Sequence, residues 1–466
     1  METSWQPDPS SFRDPNGFVF HHEGTVYRQI NSSGHEEYRR LVDSGLYTEL
    51  AREGLLVSHE EVGLRIPGAP PAAAVIRPER LPFISYPYEW CFGQLKAAAL
   101  LTLAVQKRAL ARDLILRDAS AFNVQFIGSR PIFIDTLSFG AREDGAPWPG
   151  YRQFCQHFLA PLALCAWGHP GLLELSRVYI DGVPLDVARA IVPAATWLRP
   201  GLVIHLHLHG RSRPVDGDDS HKKPQQEKPK MTKTALLALT ESLERTIDGL
   251  KWNPPPTLWS AYTGDCNYTT DAQDAKRRVV AEFLESIAAQ TNLEIVWDFG
   301  ANTGDYSRVA ARHARHVVSF DLDPAVVERH FRACRERGEE QVLPLVQDLT
   351  NPTSAIGWHH RERRSLLQRG PADAALALAL IHHLALGGNV PLDDIAAFLR
   401  EACRYLIIEF VPKTDSQVRR MLSVRGDIFP QYNATGFEKA FKQHFEIVSS
   451  TTITGTERTL YLMRAK

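Results

Sequence analysis

The sequence has no apolar run long enough to span a bilayer. Its longest such stretches, 97–106 and 374–385, fall short of the roughly twenty residues that a crossing helix needs, so no membrane partner is expected. Its first residues, Met-Glu-Thr-Ser-Trp-Gln-Pro-Asp-Pro, lack the basic-then-apolar pattern of a secretory signal. It has no excess of charge. With 53 Lys+Arg against 54 Asp+Glu, no global drive toward nucleic acid or anionic lipid exists. Cysteine is sparse and unpaired. The six thiols, at 91, 155, 165, 266, 334 and 403, form no Cys-x-x-Cys pair, which argues against a zinc site or a disulfide framework and for buried thiols in a cytoplasmic protein. There is also no Gly-x-Gly-x-x-Gly fingerprint, so a pyrophosphate-bearing dinucleotide is not indicated.

What is present begins at Glu294-Ile-Val-Trp-Asp-Phe-Gly-Ala-Asn-Thr-Gly304. This apolar run predicts a buried strand ending at Asp298, a tight turn through Gly300 and Gly304, and a helix from about Asp305. Glycines let a ligand approach the backbone closely. His316-Val-Val-Ser-Phe predicts a second strand ending at Asp321, about twenty residues on, where nucleoside-binding folds place a ribose-binding carboxylate. A carboxylate ahead of the turn, at Asp298, suits a cationic or amine-bearing ligand better than a phosphate.

The run from Asp298 to Gly304 resembles the first motif of class I S-adenosylmethionine (SAM) dependent methyltransferases. The resemblance continues in order. Asp321, in Phe-Asp-Leu-Asp-Pro, matches the ribose-binding acid, and Asp348, in Val-Gln-Asp-Leu-Thr, matches the residue that reads the adenine amine. Ala374 to His383 matches the fourth strand and the substrate-facing motif after it. The departure is Asn302, where many members carry Gly; Asn also tolerates positive φ. The resemblance implies SAM as cofactor, held by Asp298, Gly300, Asn302, Gly304, Asp321 and Asp348. Over its full length the chain also resembles a poorly characterised group of bacterial methyltransferases, some of them nodulation-protein-like.

One boundary stands out. Residues 211–231 are polar, charged and proline-bearing, and read as a flexible linker. Domain limits follow: 1–210, then the linker, then 232–466 with a helical lead-in at 232–290. In that lead-in Leu236, Leu239, Leu243, Ile247 and Leu250 recur at helical spacing, with Thr232 or Thr234 as N-cap and Pro254-Pro255-Pro256 as stop. Strands are then expected at about 317–321, 343–347, 373–381 and 404–410, alternating with helices. Phe445-Glu-Ile-Val-Ser-Ser-Thr-Thr-Ile and Arg458-Thr-Leu-Tyr-Leu-Met predict a closing hairpin. The expected class is α/β: a Rossmann-like, doubly wound sheet with a terminal antiparallel hairpin, preceded by an α+β domain. Because every proposed cofactor contact falls between Asp298 and Asp348, the second half is expected to bind SAM by itself.

In the first half, Asp118 and Asn123 are followed by a hairpin, Val124-Gln-Phe-Ile and Pro131-Ile-Phe-Ile, that ends at Asp135. This resembles the catalytic segment of protein-kinase-like phosphotransferases, and implies Asp118 as base and Asn123 and Asp135 as Mg²⁺ ligands beside ATP. No glycine loop covers the phosphates. Arg28 stands where the nucleotide-binding lysine belongs, with Glu36 and Glu37 as candidate partners, and a guanidinium does not replace a lysine. The resemblance therefore implies a degenerate domain in a binding or regulatory role, the rivals being a bifunctional phosphotransferase–methyltransferase and a non-catalytic nucleotide-binding regulator.

His205, His207 and His209 alternate with Leu and would share one face of a strand. With no acid or cysteine adjoining, a polar face is favoured over a metal site. His382 and His383 follow the fourth strand and Glu409 ends the fifth, so these are the titratable groups nearest the expected methyl position, as base or as wall. No Asn-Pro-Pro-Tyr type motif follows the fourth strand, which argues against methylation of adenine, cytosine or glutamine amino groups. The favoured acceptor is a small molecule or glycan methylated at oxygen, with methylation at carbon or nitrogen left open.

Overall fold

The computed structural model describes residues 6–64, 70–211, 231–257, 270–425 and 427–466. Apart from its two end residues the expected linker lies outside these, as does Cys266. The other five cysteines are free and buried.

The second half is built on a seven-stranded sheet. Its strands are β10 (Ile295–Phe299), β11 (His316–Asp321), β12 (Val342–Val346), β13 (Ala372–Ala377), β14 (Cys403–Phe410), β15 (Phe445–Thr452) and β16 (Thr459–Ala465). They lie in the order β12-β11-β10-β13-β14-β16-β15. The first five are parallel, and β16 and β15 close the sheet antiparallel. Alternation along each strand sends side chains to opposite faces. Val296, Val317, Ala374 and Ile407 meet Val280, Leu284 and Ile287 of the Thr270–Ala288 helix. Trp297, Phe299, Phe320 and Leu345 join a larger core on the other face. The fourth strand is shorter than its apolar run, because Ala379 takes φ +50° and turns the chain at the crevice.

The first half carries an antiparallel five-stranded sheet, β1-β2-β3-β5-β4, from β1 (Gln6–Pro7), β2 (Gly17–His22), β3 (Thr25–Ile30), β4 (His59–Glu61) and β5 (Ala74–Pro78). The Ser32–Asp43 helix lies between β3 and β4 in sequence. The buried Phe92–Ala111 helix follows. Beyond it, β6 (Leu114–Leu116) pairs with β9 (Phe139–Ala141), and β7 (Val124–Ile127) with β8 (Arg130–Phe133).

The two halves share one core. Phe83 meets Trp297 and Phe320 edge-on at 5.9 and 6.1 Å, and Phe126 meets Phe331 at 6.2 Å. Polar contacts finish the seam. Gly93 N donates to Glu328 at 2.7 Å, and Gln94 Nε2 to the Pro344 carbonyl of the edge strand β12 at 2.9 Å. The Lys233–Gly249 helix, capped by Thr232, packs on the Phe92–Ala111 helix, with Lys107–Glu244 at 2.8 Å and Lys233–Asp113 at 3.1 Å. The lead-in expected to go with the second half thus starts as part of the first. Its apolar stripe needed a partner, and sequence periodicity does not say which. No helix among the described residues is long and apolar enough to cross a membrane.

Candidate functional site

β10 runs into Gly300, Asn302 and Gly304, with φ of +72°, +49° and +83°. Gly300 N and Ala301 N both donate to the Phe320 carbonyl, at 2.9 and 3.0 Å, tying the turn to β11. A Cβ on Gly304 would stand 2.0 Å from Nε2 of the buried His330, so both backbone angle and space demand glycine there. The Asp305–Ala310 helix starts where the sequence indicated.

Asp321 ends β11. Its Oδ2 accepts from Asn302 N at 2.9 Å and its Oδ1 from Asp323 N at 3.0 Å, so the backbone aims both oxygens. Burial lifts its carboxyl to about 6, against the pull of those two N–H groups. Asp348 follows β12, its Oδ1 accepting from Thr350 N and Oγ1, each at 2.7 Å. Asp298 behaves differently. It is 2 % exposed, points beneath the turn, and accepts from Ser307 Oγ at 2.6 Å. Burial raises it to about 7. Period-two alternation puts it on the face opposite Trp297 and Phe299. Leu322, beside Asp321, is 53 % exposed and offers an apolar surface that sequence reading passed over. Its signal was available: a large apolar residue directly after a strand-end carboxylate.

Across the sheet, His382 is fully buried and, among the described residues, neither ring nitrogen finds a hydrogen-bond partner. Burial holds it well below the usual imidazole range. His383, half-buried and 4.0 Å away ring to ring, is lowered to about 4 by burial and by the Arg458 charge. Both are neutral at pH 7. Glu409 does not sit free beside them. It is fully buried, with Oε2 held by Lys276 Nζ and Ala379 N at 2.7 Å each and Oε1 by Arg458 at 3.4 Å. Glu409 is thus engaged by two cations and a backbone N–H rather than standing open beside the histidines. Arg458 continues to Asp415 at 2.8 Å. There a cavity of about 200 Å³ opens, lined by Asp415, Ser416, Arg419, Thr456, Glu457 and Arg458.

The first half brings Asp118, Asn123 and Asp135 together. Asn123 Nδ2 lies 3.3 Å from the Asp118 carbonyl and 3.1 Å from Ser138 Oγ, which donates to Asp135 at 2.6 Å. Burial and the nearby Asp135 charge raise the Asp118 carboxyl. Arg28 reaches Asp135 at 2.5 Å and Asp14 at 2.7 Å. Its expected partners turn elsewhere, Glu36 to Arg40 and Glu37 to Arg117. His205, His207 and His209 lie on helical turns, not on a strand. His205 bonds Tyr151 and Ser242, His207 bonds Thr196, and His209 stacks on Tyr151. Among the described residues no three His, Cys, Asp or Glu side chains gather as metal ligands would.

No protein-family model matches this chain. It is 37% identical over 467 residues to nodulation protein NoeA of Rhizobium meliloti (strain 1021), covering 97% of this chain and 94% of that protein. Among solved structures, it is similar to magnesium protoporphyrin IX methyltransferase from Synechocystis PCC 6803 with bound SAH, at 21% identity, 44% of this chain, 93% of that one and a TM-score of 0.31. It is also similar to the N-methyltransferase NodS from Bradyrhizobium japonicum WM9, at 13% identity, 42% of this chain, 98% of that one and a TM-score of 0.29.

Proposed function

The chain belongs to the family of nodulation protein NoeA, and we propose that it is a SAM-dependent methyltransferase acting at oxygen on a small-molecule or glycan-type acceptor. The observation that carries this reading is the placement of Asp321 and Asp348 at the ends of adjacent parallel strands, beside a turn opened by Gly300, Asn302 and Gly304. Ligands of open parallel sheets lie in that crevice. Asp321, with each oxygen fixed by one N–H and lone pairs to spare, suits a vicinal diol. Asp348 suits an amine, and Leu322 an apolar ring face. SAM, when bound, supplies a methyl group activated by a sulfonium charge. The chain's own task is to hold the acceptor and take its proton.

An adenosine spread over β11 and β12 leaves the reacting end toward β13 and β14. The neutral His383 imidazole and the cavity at Asp415 lie on that side. The cavity wall alternates carboxylates, guanidiniums and hydroxyls with no surplus of one charge, which suits neutral hydroxyl groups that both donate and accept.

The test is calorimetry of SAM on the full chain. Asp321→Ala removes a charge-assisted hydrogen bond, costing about 1.5–3 kcal/mol or at least tenfold in affinity. Wild-type affinity should also fall as pH drops through about 6, where Asp321 gains its proton. Stability of the ligand-free protein runs the other way. A carboxyl raised by burial favours the folded state below the unfolded pKa and loses that contribution as pH rises through about 6. Normal binding by Asp321→Ala would refute the assignment. His383→Ala is expected to lower turnover while leaving SAM affinity within a factor of a few; equal losses of both would place His383 at the cofactor.

For the first half we propose a kinase-like fold without phosphotransfer. The antiparallel sheet, the helix between β3 and β4, and the hairpin between Asp118 and Asp135 support the fold. Arg28 supports the loss of activity, since its guanidinium takes the Asp135 oxygen that Mg²⁺ would need.

A further inference from the structure

Ser307 stands in the first turn of the Asp305–Ala310 helix, directly after the glycine turn, and is fully buried. Its hydroxyl donates to Asp298 Oδ2 at 2.6 Å and accepts from Ser319 Oγ at 2.9 Å. Ser319 lies opposite Asp298 in the β10–β11 register and is buried as well. The chain runs one way, from Ser319 to Ser307 to Asp298. Each hydroxyl gives its single proton once and the carboxylate only accepts. Alanine would fill either serine position without burying a hydroxyl. What the hydroxyls add is a charge-assisted bond that favours the ionised carboxylate. The charges facing Asp298 are Asp321, at the end of β11, and Lys276, of the Thr270–Ala288 helix, itself bonded to Glu409 of β14 at 2.7 Å. Burial raises the Asp298 carboxyl most, the Ser307 bond pulls it back, and the Asp321 and Lys276 charges oppose each other.

We propose that Ser307, oriented by Ser319, is a positioning residue that holds Asp298 as the counter-ion of the cofactor's ammonium group. This rests on the SAM reading above. With the ribose at Asp321 of β11 and the adenine at Asp348 after β12, the amino-acid end of the same ligand falls toward β10, and Asp298 is the carboxylate near the end of that strand. It lies beneath a turn whose Gly300 and Gly304 put no side chain between it and a ligand. A buried charge acts there through a low dielectric, so a cation across the turn feels it strongly. Once protonated, the same group offers the ammonium nothing.

The experiment is calorimetry of the full chain with two ligands. S-adenosylhomocysteine carries the ammonium, and 5′-methylthioadenosine has the same nucleoside and thioether but no amino-acid end. Ser307→Ala should weaken S-adenosylhomocysteine about tenfold, the scale of one charge-assisted bond, and leave 5′-methylthioadenosine within about twofold. Asp298→Asn should show the same split. The double variant, Ser307→Ala with Asp298→Asn, should bind no more weakly than Asp298→Asn alone, because the serine acts through the carboxylate. A merely structural serine would move both ligands alike. Equal losses for both, losses that multiply in the double variant, or wild-type binding by Ser307→Ala would each overturn the proposal. Should Ser307→Ala fail to fold, Ser319→Ala frees the Ser307 hydroxyl to turn away, with a loss of about threefold confined to S-adenosylhomocysteine. No loss, or one shared by both ligands, overturns the proposal. Absence of S-adenosylhomocysteine binding by wild type would instead refute the SAM reading itself.

Discussion

Residues 232–466 produced without the first half will not fold into a SAM-binding protein, and co-production with residues 1–211 will restore solubility. The sequence suggested the opposite, because every cofactor-facing residue lies in the second half. The shared core decides it. Separation uncovers Trp297, Phe320 and Phe331 on one side and Phe83, Trp90, Phe92 and Phe126 on the other, all buried in the intact chain. At about 1.5–3 kcal/mol for each of these seven large side chains returned to water, the loss is about 10–20 kcal/mol, at least comparable with the whole stability of a typical domain. Separation also strips Glu89 from the buried Arg369. Dye binding to exposed apolar surface and size-exclusion of the fragment would show the result. A monomeric fragment that binds S-adenosylhomocysteine normally would refute it.

Lys276→Met will destabilise the protein by about 3–5 kcal/mol, since removing the nearer cation of a buried pair leaves the Glu409 charge only partly compensated. Lys276 and Glu409 have side chains 5% and 0% exposed and meet at 2.7 Å. Arg458 remains as a weaker partner at 3.4 Å, already shared with Asp415. Glu409 also holds the N–H of Ala379, whose positive φ turns the chain toward His382 and His383. A non-glycine residue in that conformation persists only where its surroundings enforce it. The substitution should therefore also blunt turnover. Urea denaturation measures the first effect, and a loss below about 1 kcal/mol, the range of an exposed pair, would sink the claim.

Local chemistry was legible in the sequence where the answer lies within a few residues. The turn at Gly300 and Gly304, the carboxylates after β11 and β12, the Thr232 cap and the closing β15–β16 hairpin all announce themselves through backbone requirements or period-two alternation. Distant pairings did not. Glu89 with Arg369 spans 280 positions and Lys276 with Glu409 spans 133, and no local pattern links them. Glu409 consequently looked like a free acid. His205, His207 and His209 alternate as a strand would, yet their segment is helical. His205 and His207 are buried against Tyr151, Ser242 and Thr196, and such packing overrides a short periodic signal.

Pro344 sits in β12, the outermost parallel strand, where a residue without an N–H is tolerated. Its carbonyl is taken by Gln94. Strand addition is disfavoured at that point, because an incoming chain would find no donor at Pro344 and its carbonyl already taken. The remaining border is β15, where the pairing with β16 slips between Ile447 and Ser449. An irregular strand makes a poor template for a neighbour. Both borders of the seven-stranded sheet are thus interrupted, which disfavours edge-to-edge pairing with another copy.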